Sequence, residues 1–277
     1  MDSLVSTDWL DAELGAPDLR VIDATYFLPG MGRDARAEHE AAHIPGAVFF
    51  DIDEIADSAS PLPHMLPSEP KFASRMQSLG LGDGNRFLVY DNSPLHSAAR
   101  AWWMLRVFGA RHVALLDGGL QKWRAEGRPL AAGRDRHRHG HFTAFLDRAA
   151  VADKTALLAL AGEEVVDARP AARFAGGDVE PRPGVEPGHI PGSKNAPQSE
   201  FFNADNTWKH GEALRALFDA AGVDLARPMV TTCGSGVTAA VVLFGAHLLG
   251  KKDVRLYDGS WSEWGADPAT PKAQGAA

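Results

Sequence analysis

Four short stretches of this chain occur twice, in the same order and roughly 145 residues apart, and a chain that repeats itself in this way is built from two copies of one structural unit. Val21-Ile22-Asp23-Ala24 returns as Val165-Val166-Asp167-Ala168, and His43-Ile44-Pro45-Gly46-Ala47 returns as His189-Ile190-Pro191-Gly192-Ser193. Leu115-Leu116-Asp117-Gly118-Gly119 returns as Leu256-Tyr257-Asp258-Gly259-Ser260, each followed by a tryptophan, Trp123 and Trp264. The fourth pair differs at its end: Phe87-Leu88-Val89-Tyr90-Asp91 stands where the second copy has Met229-Val230-Thr231-Thr232-Cys233, so the one cysteine takes the place of an aspartate. A length of 277 residues with 45% hydrophobic content is enough for two cores. The expected organisation is an amino-terminal domain over 1–130, a linker over 131–148 and a carboxyl-terminal domain over 149–277.

Within each copy, short apolar runs that end in Asp, Cys or Gly alternate with helix-like segments such as Ser97 to Phe108 and Val237 to Leu249. That alternation predicts an α/β domain whose sheet is mainly parallel and flanked by helices. Ligands of such sheets sit at the carboxyl ends of the strands, where Asp91 and Cys233 fall. The stretch Gly127 to Asp147, rich in Gly, Arg and His, has no useful periodicity and reads as an exposed linker. Its alternating His137, His139 and His141 have no fixed fourth ligand nearby, so no metal site is expected.

A net charge of -8 argues against nucleic acid or an anionic membrane surface as a partner and favours a small molecule. No apolar run reaches the length of a membrane-spanning helix, and the first residues, MDSLVSTDWL, lack the features of a signal peptide, which predicts a cytoplasmic protein. A lone cysteine forms no internal disulfide and suits a reducing compartment.

Cys233 ends a β-like run and is followed by Gly234-Ser235-Gly236-Val237-Thr238 and then by an apolar helix. The two glycines permit a tight bend in which successive N–H groups turn inward around the sulfur, and the start of the helix adds its own unpaired N–H groups and dipole. Both effects favour a thiolate, as they do in other cysteines at helix starts. This reading expects the sulfur of Cys233 to be open to reagents rather than covered by packed side chains.

The loop CGSGVT, the paired HIPG segments and the paired Asp-Gly segments resemble the tandem-domain rhodanese family, over roughly residues 4 to 268. The resemblance implies two rhodanese-like domains, with catalysis in the second and a degenerate first copy in which Asp91 replaces the cysteine. A phosphatase on a similar loop needs an Arg six positions after the Cys to clamp phosphate, and that position is Ala239 here. Within the family, thiosulfate enzymes place cations after the cysteine and mercaptopyruvate enzymes place small neutral residues, as in Gly234 and Ser235. The implied activity is transfer of sulfur from 3-mercaptopyruvate through a Cys233 persulfide to thioredoxin, glutathione or cyanide, with pyruvate released and no metal or organic cofactor. The rival readings are a thiosulfate-preferring enzyme and a non-catalytic persulfide carrier.

The same resemblance assigns Arg173 and Arg182 to the substrate's carboxylate and carbonyl, and Gly234, Gly236, Val237 and Thr238 to the loop that holds the substrate sulfur. It assigns Asp53, His64 and Ser235 to a relay for the substrate's thiol proton. His43 and His189 occur in both copies and are expected to serve the fold, as are Asp23, Asp117, Asp167 and Asp258. Trp102 and Trp103 are expected to pack a core or a seam. His96 stands where family members often carry an aromatic, and a role in acceptor preference or pH dependence would follow if it faced the cleft.

Overall fold

The computed structural model describes residues 1–134, 138–160 and 162–276, so His137 lies outside the described residues. The first copy forms a five-stranded sheet from β1 (Leu4–Val5), β2 (Leu19–Asp23), β3 (Val48–Phe49), β4 (Arg86–Tyr90) and β5 (Val113–Leu116), in the order β1-β5-β4-β2-β3. The second repeats that order with β6 (Val151–Ala152), β7 (Glu164–Asp167), β8 (Lys194–Asn195), β9 (Met229–Thr232) and β10 (Val254–Tyr257), as β6-β10-β9-β7-β8. Among the described residues, all eight pairings between these strands are parallel. β4 and β9 are buried over nearly their whole length, as central strands of parallel sheets are, which is why the runs leading to Asp91 and Cys233 show no alternation of buried and exposed positions.

The central strand of each sheet, β4 or β9, delivers the residue that distinguishes the copies. Asp23 is in register with Tyr90, and Asp167 with Thr232, so Asp91 and Cys233 follow directly at the carboxyl edge. Helices Ala98–Val107 and Ala239–Leu248 then run back along the sheets, one or two residues shorter at each end than their sequences suggest. Trp102 and Trp103 are buried on the first of these helices, where the Trp102 indole N–H donates to the Val113 carbonyl at 3.1 Å.

The two compact units are not continuous in sequence. One comprises Met1–Ser58, Pro67–Asp147 and Phe202–Trp208, and the other Ala59–Leu66, Arg148–Phe201 and Lys209–Ala277. Each therefore incorporates one short segment from the opposite half of the chain, and equivalent carboxylates hold the two segments. The Asp258 carboxylate accepts the Leu66 N–H at 2.7 Å in the second unit, and Asp117 accepts the Trp208 N–H at 2.8 Å in the first. The segments share a left-handed turn, at His64 (φ 60°) and at Asn206 (φ 68°).

The paired histidines are likewise equivalent and buried. His43 and His189 each form an antiparallel bridge, to Ala131 and Ala273, and their Nδ1 atoms lie 2.7 and 2.8 Å from the carbonyls of His39 and Phe174. Trp123 and Trp264 donate to the carbonyls of Pro129 and Pro271, both at 2.8 Å. Around them close two cores, one with Leu10, Val21, Leu88, Tyr90 and Leu120, the other with Val165, Val230, Tyr257 and Trp261.

Residues 138–147, which the sequence suggests are an exposed linker, lie along the first unit. Phe142 is 3% exposed and meets Phe72 edge-on at 5.7 Å, while Phe145 and Asp147 donate backbone N–H groups to Phe108 and Val107. One large apolar ring outweighs the polar composition around it. We expect Phe142→Ala to lower unfolding free energy by about 3 kcal/mol or more, read by urea denaturation; a loss below about 1 kcal/mol would mean that the ring is not packed.

Candidate active site

Cys233 sits where β9 ends, and its loop is fixed from behind by the start of the helix Ser260–Trp264. The Trp261 N–H donates to the Cys233 carbonyl at 2.9 Å, and the Ser262 N–H to the Gly234 carbonyl at 2.9 Å. Gly236 has a φ of 77°, a left-handed conformation that disfavours residues with a Cβ, so the bend depends on glycine here. Thr238 then precedes the helix Ala239–Leu248, whose first N–H groups, like those of any helix, lack intrahelical carbonyl partners.

The sequence reading expects an open sulfur, and the structure corrects this: Cys233 is 2% exposed. Ser235, Gly236 and Val237 are buried with it, and Gly234 and Thr238 are partly exposed at the rim.

The first unit shows what this bend holds when no cysteine is present. The Asp91 carboxylate accepts the Ser93 N–H at 3.0 Å and the Ala98 N–H at 2.6 Å, the latter from the start of the following helix. Burial pushes its carboxyl up to about 7, against the opposing effect of those two N–H groups. The same strand-loop-helix turn thus receives an acidic side chain at the position that Cys233 occupies in the second unit.

His64 is buried in the second unit, with Nδ1 2.9 Å from the Ser235 hydroxyl and 3.3 Å from the Ser235 carbonyl. Asn206 adopts the same left-handed turn in the other unit, so the backbone there does not require a histidine. Asp53, the third member of the expected relay, belongs to the first unit and lies exposed in the first turn of the helix Ile52–Ile55.

Arg173, on the short helix Ala171–Phe174, places its guanidinium beside the loop: a Cβ added to Gly234 would stand 3.5 Å from Arg173 Nη2. Arg182 Nη1 donates to the Ser262 hydroxyl at 3.4 Å, and that hydroxyl donates to the Gly234 carbonyl at 2.5 Å. Both expected substrate arginines therefore reach the rim of the loop.

Sequence reasoning missed the groups that hold them. Glu180 is buried between two arginines, accepting from Arg169 at 3.0 Å and from Arg173 at 2.5 Å. Arg169, also buried, binds Asp167 and the Gly188 carbonyl and lies over the Trp261 ring at 4.5 Å. An acid amid three arginines was a visible signal. Ser260 and Ser262 had a subtler one, since the first copy has Gly119 and Gln121 at those places.

His96 stacks on Phe202 within the first unit, ring centroids 3.4 Å apart, and burial lowers it to about 4. It is therefore neutral at physiological pH. Among the described residues no helix is long and apolar enough to cross a membrane.

A twice-repeated parallel sheet whose central strand ends in a cysteine loop opening a helix defines a rhodanese-like protein. The family model for the rhodanese-like domain matches residues 6–126 and 152–267, and the chain belongs to that family. It is 46% identical to the 3-mercaptopyruvate sulfurtransferase of Mus musculus over 271 residues, covering 95% of this chain and 91% of the relative. To that of Escherichia coli strain K12 it is 44% identical, covering 96% of each, and to the thiosulfate sulfurtransferase of Bos taurus 44%, covering 99% and 96%. The crystal structure of SseA from Escherichia coli, a 3-mercaptopyruvate sulfotransferase, superposes with a TM-score of 0.86 at 41% identity, covering 94% of this chain and 99% of that one.

The raised Asp91 carboxyl carries a pH dependence. Its ordinary value is 3.8 and its folded value about 7, so its contribution to stability is complete below about pH 4 and is lost as pH rises to about 7. The stability of wild type relative to Asp91→Asn should fall between pH 4 and 7 and level off above, measured by urea denaturation across that range. A constant difference would show an ordinarily titrating carboxyl.

Proposed function

We propose that this chain transfers sulfur from 3-mercaptopyruvate to an external thiol or cyanide, with Cys233 as the nucleophile. The observation that carries the reading is the His64 to Ser235 contact of 2.9 Å, which joins a proton carrier to a hydroxyl two residues beyond the nucleophile. The neutral Gly234 and Ser235, with Arg173 beside Gly234, suit a donor that presents a thiol to the cysteine and a carboxylate to the rim.

In the first half-reaction the Cys233 thiolate forms an S–S bond to the substrate's sulfur. The C–S bond breaks, and its electron pair leaves as the enolate of pyruvate. The proton of the substrate thiol passes through Ser235 and His64 to the enolate carbon, giving pyruvate and a Cys233 persulfide. Arg173 and Arg182 bind the carboxylate and carbonyl and stabilise charge on the departing enolate. In the second half-reaction an acceptor attacks the outer sulfur and restores the thiolate. With one cysteine in the chain, that acceptor is a separate molecule such as thioredoxin, glutathione or cyanide.

The rim formed by Gly234 and Thr238 is the route by which a small donor reaches a sulfur that is 2% exposed. A relative named for thiosulfate has the same 44% identity as the Escherichia coli mercaptopyruvate enzyme, so thiosulfate is the second donor to assay. We infer a reducing compartment, the cytoplasm, from the single thiol that must return to its free form in each cycle.

Cys233→Ser should fold with an unchanged melting temperature and form no pyruvate from 3-mercaptopyruvate; turnover above background would rule out the covalent scheme. His64→Ala should lower kcat with 3-mercaptopyruvate by about 10²-fold or more and remove one limb of its pH profile. It should affect thiosulfate, which has no thiol proton to move, far less. Equal losses with both donors would take His64 out of the proton path.

A further inference from the structure

The duplication supplies an internal control for the residues around Cys233. Features that both units share serve the fold, and features confined to the unit with the cysteine serve the chemistry. The shared feature behind the loop is a backbone hydrogen bond: Trp261 N–H to the Cys233 carbonyl at 2.9 Å, and Leu120 N–H to the Asp91 carbonyl at 3.0 Å. The confined feature is the hydroxyl of Ser260. It accepts the Cys233 N–H at 3.2 Å and donates its own proton to the Tyr257 carbonyl at 2.8 Å. The first unit has Gly119 at the equivalent place and no hydroxyl.

The backbone makes the difference more pointed. Gly119 has a φ of 56° and Ser260 a φ of 50°, so both units need a left-handed residue here and only one uses the residue suited to it. Strain of this kind, held in place beside a nucleophile, points to a function for the side chain. We propose that Ser260 is a positioning residue for the nucleophile: its hydroxyl holds the Cys233 N–H away from the sulfur and fixes the peptide that aims the sulfur into its loop. The proposal rests on the sulfurtransferase reading for its purpose.

The geometry gives the effect a direction. Trp261 and Ser262 bind the carbonyls of Cys233 and Gly234, so the negative ends of those two dipoles are turned toward the helix Ser260–Trp264. With the Cys233 N–H bound to Ser260 as well, both polar groups of that residue's backbone are anchored. Without the hydroxyl, a buried N–H loses its acceptor and the loop relaxes. The peptide that carries the sulfur is then no longer held on both sides.

The test is Ser260→Gly, which removes the hydroxyl and the strain together and restores what the fold itself uses at Gly119. A side chain that served only the fold would change the melting temperature and leave the sulfur alone. We expect the melting temperature to be maintained or raised, and the titration midpoint of the single thiol to rise by about one pH unit. The midpoint is read from thiolate absorbance and from the pH dependence of iodoacetamide alkylation, without any sulfur donor. At a pH below both midpoints that shift is a roughly tenfold lower alkylation rate. Ser260→Ala, which keeps the strain, should raise the midpoint equally but lower the melting temperature. An unchanged midpoint in Ser260→Gly overturns the proposal whichever donor the wild type uses. Wild type that makes no pyruvate would instead count against the donor assignment alone.

Discussion

Everything at the carboxyl edge of each sheet depends on one backbone hydrogen bond, from the first turn of a helix to the carbonyl of the residue that ends the central strand. It is 2.9 Å long at Cys233 and 3.0 Å at Asp91. Parallel strands leave their last carbonyls without partners at the sheet's edge, and a neighbouring helix start has N–H groups to spare. Joining the two fixes residue 233 between β9 and the helix Ser260–Trp264. The loop that follows then has little freedom except to bend over the sulfur. The left-handed Gly236 makes that bend possible.

The second organising constraint is the pair of exchanged segments. An Asp-Gly turn in each unit uses its carboxylate to hold a backbone N–H from a segment of the other half, Leu66 on Asp258 and Trp208 on Asp117. These contacts are equivalent in the two units, including the unit without a cysteine, so they belong to the shared architecture. Their contents have diverged. The segment held by Asp258 carries His64 to Ser235, whereas the segment held by Asp117 carries Phe202 to a stack with His96. The same device brings a histidine to one loop and a packed aromatic pair to the other.

Much of this was legible in the sequence, and the exceptions have a common cause. The strands, the following helices and the Cys233 bend were readable because apolar runs and glycines leave local patterns, and the repeat showed each pattern twice. The exchanged segments left no such trace: the contact of Leu66 with Asp258 spans 192 positions and rests on a single N–H. The expected relay residue His64 came from resemblance, not from any spacing that could place it on Ser235. Residues 138–147 are largely exposed, as their composition suggests, but the burial of Phe142 was not legible because composition averages one apolar residue away. Glu180 was missed because its partners Arg169 and Arg173 were judged for their own possible ligands. The burial of Cys233 was missed because the loop was pictured as open, whereas Ser235, Gly236 and Val237 are buried together with it.

The two copies differ at the end of the central strand, where one carries Asp91 and the other Cys233. A turn lined by N–H donors has to hold something acidic, since filling it with an apolar group would leave buried donors without acceptors. In the first unit a carboxyl serves permanently, at the cost of a burial that raises it to about 7. In the second the group is a thiol, the side chain that the proposed chemistry requires. The carboxyl completes a fold, and the sulfur in the same position leaves room for chemistry. Among the positions that differ between the copies, Ser260 for Gly119 and Ser262 for Gln121 place hydroxyls on the backbone of the loop at Cys233 and Gly234.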